Sequence, residues 1–531
     1  MRAACLRFLA RSHGTDATRD VRSVFRLVVT PASSVRNAHR ENEVAVVLIT
    51  VTVMLGLIMA IIDSTIVNVA LDTIAGNLGA TIDEVSWIAT GYILANVVVM
   101  PLNGWLTAFF GRKAFYATSL AVFTVASFLC GTAHSIDQLI FYRVIQGLGG
   151  GALQPTAQAI LFESYPPSKR SQAMAIFGLG AMVGPAIGPT LGGWIVDNAS
   201  WPLIFFINLP IGAVAFLMTL AFIPDPHYIE TPKSGVDWAG LGLLSAGLAS
   251  LQYVLERGEH DSWFASHTIV VLTIVAAVCL PIFVMKALRD RHPLVNLRVF
   301  RLRGYAVGNL LGFISGFGLF GVTLVLPLFF QTMLGFTAFD TGLALMPGAL
   351  ATAASMMVLG RIGNRVDPRI LVAVGFACFG ISTWLLGDLN TIAGYWDVFW
   401  PRIWQGFALG MLFVPLSTTT LGSVPLAEMA GASGVYTLLR QLGGSVGIAV
   451  LTTFLTHESA VAWNVLASGV TQSHGLPRTY LTALVAQQST MIAYDALFRL
   501  VAIIFFVSAP LVLLMEPPRG GLPQSVAAAA D

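Results

Sequence analysis

Apolar residues in this chain come in long unbroken blocks separated by short polar stretches. Fourteen blocks lie at roughly 45–68, 84–106, 114–133, 138–161, 171–196, 202–223, 237–256, 267–286, 305–330, 341–359, 370–388, 397–420, 433–455 and 494–515. Each is near the length at which a helix crosses ~30 Å of hydrocarbon. Within a bilayer the backbone must satisfy its own hydrogen bonds, which a helix does along a single segment. The pattern therefore predicts an all-α membrane protein of fourteen spanning helices. An even number of spans places both termini on the same side.

The basic residues give an independent check on this count, because cytoplasmic loops are enriched in Lys and Arg. With the N-terminus in the cytoplasm, 23 of the 29 Lys and Arg residues fall in cytoplasmic segments and only Arg257 and Arg478 fall outside. Arg143, Arg402, Arg440 and Arg499 lie within spans. Composition agrees: 56% of the 531 residues are hydrophobic and 11% are charged, against ~25% charged in soluble domains. A net charge of +2 gives no indication of a nucleic-acid partner. Cys5, Cys130, Cys279 and Cys378 form no CxxC or Cys/His cluster, so no metal site is expected. Residues 1–43 are Arg-rich, and 21–29 could form a basic surface helix or belong to a cytosolic extension. No cleavable signal is expected, because the first long apolar block reads as a spanning helix itself.

The chain also repeats itself. Arg143-Val-Ile-Gln146-Gly147-Leu-Gly149-Gly150-Gly151 recurs as Arg402-Ile-Trp-Gln405-Gly406-Phe-Ala-Leu-Gly410, and the stretch Gly104 to Lys113 is echoed by Gly360 to Arg369. Two matches in register argue for two six-helix halves. The expected organisation is a basic N-terminal segment (1–43), an N-terminal half (44–223), an inserted two-helix hairpin with its linkers (224–303), a C-terminal half (304–516) and a tail (517–531).

Several motifs resemble the fourteen-helix drug:proton antiporter branch of the major facilitator superfamily. Ile62-Asp63-Ser64-Thr65-Ile66-Val67-Asn68-Val69-Ala70-Leu71 is similar to its first-helix signature. Gly104-Trp-Leu-Thr-Ala-Phe-Phe-Gly111-Arg112-Lys113 resembles the loop motif between helices 2 and 3, and Leu139 to Gly151 the arginine motif of helix 4. Gly180-Ala-Met-Val-Gly184-Pro185-Ala-Ile-Gly188-Pro189-Thr-Leu-Gly192-Gly193 resembles the antiporter motif of helix 5. Trp201 with Ile204 to Gly212, then Asp237-Trp238-Ala-Gly240, Gln331, Pro347 and Arg440-Gln441-Leu-Gly443-Gly444-Ser445 match further markers of the EmrB-type branch. The resemblance covers about residues 44–516. It departs at Ala108, where the loop motif usually has an acid, so a cytoplasmic-gate ion pair near Arg112 is expected to be missing. Phe109 replaces a basic residue, and Asp72 stands where Pro often follows the signature.

Among single residues, Asp63 stands out, because an unpaired carboxylate in an apolar span costs ~2.5–3.5 kcal/mol and usually marks an ion or substrate path. The alternative is a helix-end residue solvated near the outer interface. Arg143 and Arg402 occupy equivalent places in the two halves, each with a glutamine at i+3. The resemblance implies that Arg143 helps a nearby carboxylate exchange its proton, whereas a structural clamp suits Arg402. Gly180, Gly184, Gly188 and Gly192 recur every fourth residue, giving one face without side chains on which a neighbouring helix can pack closely. Pro185 and Pro189 are expected to bend that span. Gly304, Gly308, Gly312 and Gly316 repeat the spacing without prolines. Candidate polar liners of a cavity are Asn68, Asn96, Gln154, Gln158, Gln331 and Gln441, each equally able to bond another helix. The longest outside loop is expected at 456–493.

These readings predict a multi-pass protein of the bacterial inner membrane with both termini cytoplasmic. It would export amphipathic organic compounds in exchange for protons, with no cofactor beyond the proton-motive force. The long outside loop and the EmrB-type likeness suggest a periplasmic adaptor and an outer-membrane channel as partners beyond lipid, substrate and protons. A same-fold facilitator or importer and a lipid-handling membrane protein are the alternatives. An enzyme is not expected: there is no HExxH and no close pair of membrane acids, nor is there a GxxxxGK[ST] loop for a nucleotide-driven pump.

Overall fold

The structure is a computed structural model and describes residues 32–226, 236–363, 365–469 and 478–515. The basic stretch 21–29 and Cys5 lie outside the described residues. The chain divides into two compact units, residues 1–50 and 51–531. In the first, the described residues form the start of one helix, on which Thr50 Oγ1 donates to the Val46 carbonyl at 2.7 Å. The features below belong to the second unit.

Every regular element among the described residues is helical. The long helices are α1 (Ala32–Ile66), α2 (Ile82–Val99), α3 (Arg112–Gly131), α4 (Ile136–Ser164), α5 (Arg170–Asn198), α6 (Asn208–Phe222) and α7 (Trp238–Arg257). They continue with α8 (His267–Arg289), α9 (Arg303–Thr332), α10 (Ala338–Ile362), α11 (Pro368–Leu386), α12 (Tyr395–Gly422), α13 (Met429–Gly469) and α14 (Arg478–Ser508). Local sequence sets several starts. Thr81 and Glu84 form a reciprocal capping box on α2, as do Thr337 and Asp340 on α10. Asp237 caps α7 by accepting from the Gly240 N–H at 2.9 Å and pairs with Lys286 of α8. Burial alone would raise the Asp237 carboxyl, but the hydrogen bonds from Lys286 and Gly240 hold it below the usual carboxylate range.

Twelve helical stretches among the described residues are long and apolar enough to cross a membrane. The expectation was fourteen. The two helices outside the set are α4 and α12, at 29 and 28 residues. Arg143, Gln146, Gln154 and Gln158 lower the apolarity of α4, and Arg402, Gln405 and the run Ser417–Thr420 do the same for α12. Most of this polar load is turned inward: Arg143, Gln146, Gln158, Gln405, Ser417 and Thr420 are all buried.

The repeat seen in the sequence appears in the packing. Helix α4 lies against α2 and α3 in the N-terminal half, and α12 against α10 and α11 in the C-terminal half. Helices α7 and α8 pack together, and α7 also touches α2 and α13, one from each half. The halves meet closely at one end: a methyl group on Gly104 would lie 2.6 Å from Gly431 Cα. Asn103 Nδ2 donates to the Ala430 carbonyl at 2.9 Å, and Ser433 Oγ to that of Pro155 at 2.8 Å. The region 456–493 is not an open loop. Helix α13 runs on to Gly469 and α14 begins at Arg478, with Ser459 and Thr490 hydroxyls 3.4 Å apart between them; residues 470–477 lie outside the described residues.

Candidate functional site

Burial makes the Asp63 carboxylate expensive unless every lone pair is used. On α1 it is fully buried, and three side chains converge on it. Arg143 Nη1 of α4 donates to Oδ2 at 2.6 Å; Gln146 Nε2 and Asn208 Nδ2 of α6 donate to Oδ1 at 2.9 and 2.7 Å. The two charges thus form an ion pair sealed inside the N-terminal half.

Arg143 is held just as fully. Its Nε donates to the Ile88 carbonyl at 3.1 Å and its Nη1 also to Gln146 Oε1 at 2.8 Å, while the guanidinium lies 4.3 Å over the Tyr92 ring. Asn208 extends the network to Ser127 Oγ at 2.9 Å, which donates to the Phe205 carbonyl. The i, i+3 spacing of Arg143 and Gln146 puts both on one face of α4, which is why both reach the same carboxylate. The network can exchange one charge state for another only as a unit: neutralising Asp63 would leave the Arg143 guanidinium without its counter-charge in a buried setting.

The glycine face of α5 packs on the turn of α1 that carries Asp63. Methyl groups on Gly184 and Gly188 would lie 2.2 Å from Ile61 Cγ2 and 2.1 Å from Thr65 Oγ1, and those on Gly180 and Gly192 would meet Met54 and Ile66. Thr65 Oγ1 donates to the Gly184 carbonyl at 3.1 Å, tying the two backbones together. Around Gly193 there is open space. Helix α5 is continuous through Pro185 and Pro189, and the Pro189 side chain is exposed. The glycines of α9 pack elsewhere, against Thr420 of α12 and Tyr436 and Arg440 of α13.

In the loop motif, Gly104 makes the close approach to Gly431 already described, and Gly111 has a φ of 82°, a region open to glycine at little cost. The Lys113 N–H donates to Asp225 Oδ1 at 2.9 Å. Arg112 is not left without an ion pair by the missing acid at Ala108. Glu163, at the end of α4, sits 2.6 Å from its guanidinium.

The candidate cavity liners do not converge on one place. Asn68 and Gln331 are exposed, Gln154 and Gln441 are half-buried, and Asn96 is buried with Oδ1 lacking a hydrogen bond. Gln158 joins the halves, its Oε1 accepting from Ser433 and Thr437 of α13 at 3.1 and 3.3 Å. Arg402 pairs with Gln405 as its spacing implied. Ser127, Tyr92 and Glu163 were not singled out from the sequence, and Asn208 entered only as part of the Ile204–Gly212 marker, without a role of its own. Asn208 carries the same signal as Asp63, a polar side chain inside an apolar block, and could have been found by it.

The Major Facilitator Superfamily model matches residues 53–448. The chain is 34% identical over 487 residues to the fatty acid resistance protein FarB of Neisseria gonorrhoeae, spanning 88% of this chain and 96% of that protein. It is 35% identical over 492 residues to the multidrug export protein EmrB of Escherichia coli (strain K12), spanning 89% and 96%. Among solved structures it resembles the human organic anion transporter MFSD10 with a TM-score of 0.59 at 16% identity, covering 87% of this chain and 99% of that one. The proton:xylose symporter XylE gives 0.59 at 13% identity, covering 92% and 100%. At such identities these two structures speak to the fold alone.

Proposed function

The chain belongs to the major facilitator superfamily, in its EmrB-type branch, which makes it a multi-pass membrane transporter rather than an enzyme; on that premise we propose that it exports amphipathic organic compounds in exchange for protons. The supporting observation is the buried Asp63–Arg143 pair, the kind of intramembrane carboxylate that marks ion pathways. In this reading the protein sits in the inner membrane with both termini cytoplasmic, spanning it fourteen times with α4 and α12 included. The contact of Gly104 with Gly431 then closes the cytoplasmic side. Alternating access opens that end as the halves rock about the hairpin α7–α8. A proton taken up by Asp63 frees Arg143 from its counter-charge, and the glycine face of α5, resting on Ile61 and Thr65, carries the resulting shift of α1 to the rest of the half.

Energy suffices without a nucleotide. One proton falling through 100 mV releases ~2.3 kcal/mol and each pH unit adds ~1.4 kcal/mol. One proton per neutral substrate therefore supports accumulation of several hundred-fold (roughly). The test is reconstitution into liposomes with an imposed pH gradient. Substrate addition should dissipate the gradient, and reversing the gradient should reverse substrate flux. Flux indifferent to the gradient's size and sign would overturn proton coupling and favour a facilitator.

A second element of the reading concerns partners. Helix α13 has 41 residues, or ~60 Å at 1.5 Å per residue, about twice the hydrocarbon thickness. Its paired extension with α14 beyond the membrane offers a surface for a periplasmic adaptor, which would connect the transporter to an outer-membrane channel.

A further inference from the structure

We propose that the end of α8 and the short helix that follows it form a binding site for an anionic phospholipid, with the headgroup phosphate on Arg289 and Arg301. The proposal goes beyond the export reading and does not depend on it; only the assignment to the cytoplasmic leaflet uses the orientation given above.

Helix α8 carries one continuous exposed row. Val271, Ile274, Val278, Ile282 and Met285 follow at three- and four-residue steps, so they share a face, and all are exposed. The same steps lead on to Lys286 and Arg289, where the row turns from apolar to basic. Ile282, Met285, Lys286, Arg289 and Asp290 line an open groove of about 440 Å³. A groove whose wall changes from apolar to cationic along one helix matches a molecule that is apolar at one end and anionic at the other. Trp238 marks the depth of that change. It is 74% exposed at the start of α7, and its neighbour Asp237 pairs with Lys286. Tryptophans of spanning helices gather at the headgroup level.

The chain after α8 adds charge at the same place. Lys286, Arg289, Arg291, Arg298, Arg301 and Arg303 are accompanied in this stretch by a single acid, Asp290. Arg298 Nη2 donates to the carbonyls of Leu288 and Asp290 at 3.3 and 2.6 Å. That contact folds the linker back onto the end of α8 and covers carbonyls that would otherwise repel an anion. Asn296 caps the 3-10 helix Leu297–Arg301, in which residues three apart are eclipsed. Arg301 therefore lies on the side of Arg298, towards the end of α8. The nearby acids are engaged: Asp237 with Lys286, Asp290 with the His292 N–H at 3.1 Å, and Glu428 with Asn296 Nδ2 at 2.9 Å. Arg289 and Arg301 are exposed, and among the described residues neither forms an ion pair. A guanidinium fork offers a phosphate two parallel hydrogen bonds, and basic pockets beside spanning helices take anionic headgroups.

The linker also bears on both halves. Leu294 and Val295 are buried in one apolar cluster with Met100 and Leu102 of the N-terminal half and Val435 of α13. A lipid held at the end of α8 therefore steadies a segment that packs against both, and its binding is readable as thermal stability.

The experiment uses the purified full-length protein in mild detergent. The probes are dioctanoyl phosphatidylglycerol, the zwitterionic dioctanoyl phosphatidylcholine, glycerol 3-phosphate and inorganic phosphate. Equilibrium binding and melting temperature are measured for wild type, for Arg289→Gln with Arg301→Gln, and for Arg361→Gln with Arg365→Gln. The last pair removes the same charge where α10 gives way to α11, outside the groove. Wild type should bind phosphatidylglycerol ~10-fold more tightly than phosphatidylcholine and melt at a higher temperature in its presence. Arg289→Gln with Arg301→Gln should abolish that preference and leave phosphatidylcholine binding within about twofold, which also reports that the variant is folded. Arg361→Gln with Arg365→Gln should keep the preference in full. Equal binding of the two lipids by wild type, or a preference that survives loss of Arg289 and Arg301, overturns the proposal. So does an equal loss in the Arg361 and Arg365 variant, which reports diffuse surface charge. Displacement of the lipid by an equal concentration of glycerol 3-phosphate or inorganic phosphate assigns the site to a soluble phosphate and overturns the lipid. Should the first pair not fold, Arg289→Gln alone decides: a fall of ~3-fold in the preference is expected, and an unchanged preference overturns the site. Detergent has no sides, so none of these outcomes turns on the orientation or on export.

Discussion

At the scale of single residues, the Asp63–Arg143 pair is a charge balance with no spare partner. Removing one member of a buried ion pair typically costs ~3–5 kcal/mol, mostly because the other is stranded. Asp63→Asn keeps the size and most of the hydrogen-bonding capacity of the side chain but cannot carry a proton through a cycle. It should still insert, at reduced thermal stability, and show no dissipation of a pH gradient on substrate addition. Full coupling in the Asn variant at normal abundance would remove Asp63 from the mechanism. Asn208→Leu should leave the ion pair intact but cost ~1–3 kcal/mol for the hydrogen bonds to Asp63 and Ser127 that it removes, read as a lower melting temperature with coupling retained. Both members of the pair were legible in the sequence, because a charge in an apolar block is conspicuous. Their contact was not, since 80 residues separate them and hydropathy carries no information about which spans touch. The same blindness explains Glu163: the missing acid at Ala108 implied an unpaired Arg112, whereas the partner comes from the far end of another helix.

At the scale of helices, spacing gave the glycine face of α5 but not its neighbour. Four-residue periodicity says that something approaches closely, and the structure identifies it as the Asp63 turn of α1. Gly184→Leu and Gly188→Leu should therefore destabilise by at least the ~1–3 kcal/mol typical of overpacking, and should lower transport per molecule as well as abundance. Gly193→Leu, facing open space, should do neither. Gly308→Leu would crowd Thr420 and is expected to lower abundance while the surviving molecules transport normally, because α9 packs away from the ion pair. Abundance-corrected flux in all four variants checks this. Equal residual flux per molecule in the α5 and α9 variants would reduce the α5 motif to simple packing. The 456–493 region shows the complementary limit of sequence reading: polar residues there broke the apolar block, yet α13 continues into it as far as Gly469 and α14 starts within it at Arg478, since Ala, Glu and Leu sustain a helix outside hydrocarbon.

At the scale of the whole molecule, helix α7 bears on both halves. Gln252 Nε2 of α7 donates to Ser445 of α13 at 2.8 Å, and Arg257 donates to Ser86 of α2, so in the proposed cycle any rocking of the halves would have to break or slide these contacts. The paired extension of α13 and α14 belongs to the C-terminal half and carries exposed apolar side chains, among them Val465 at 66% and Tyr480 at 57%. Exposed apolar groups on a rigid helical pair suit recognition by another protein. Val465→Glu combined with Tyr480→Glu adds charge to that surface without disturbing residues that contact the transport path. In liposomes the double variant should exchange substrate for protons as wild type does, because export across one membrane needs no partner. In cells with two membranes it should lose resistance to the exported compound, and a periplasmic adaptor recovered with wild type should be absent. Wild-type resistance and unchanged recovery would exclude this surface as the docking site. Loss of liposome flux would assign the extension to the transport cycle itself.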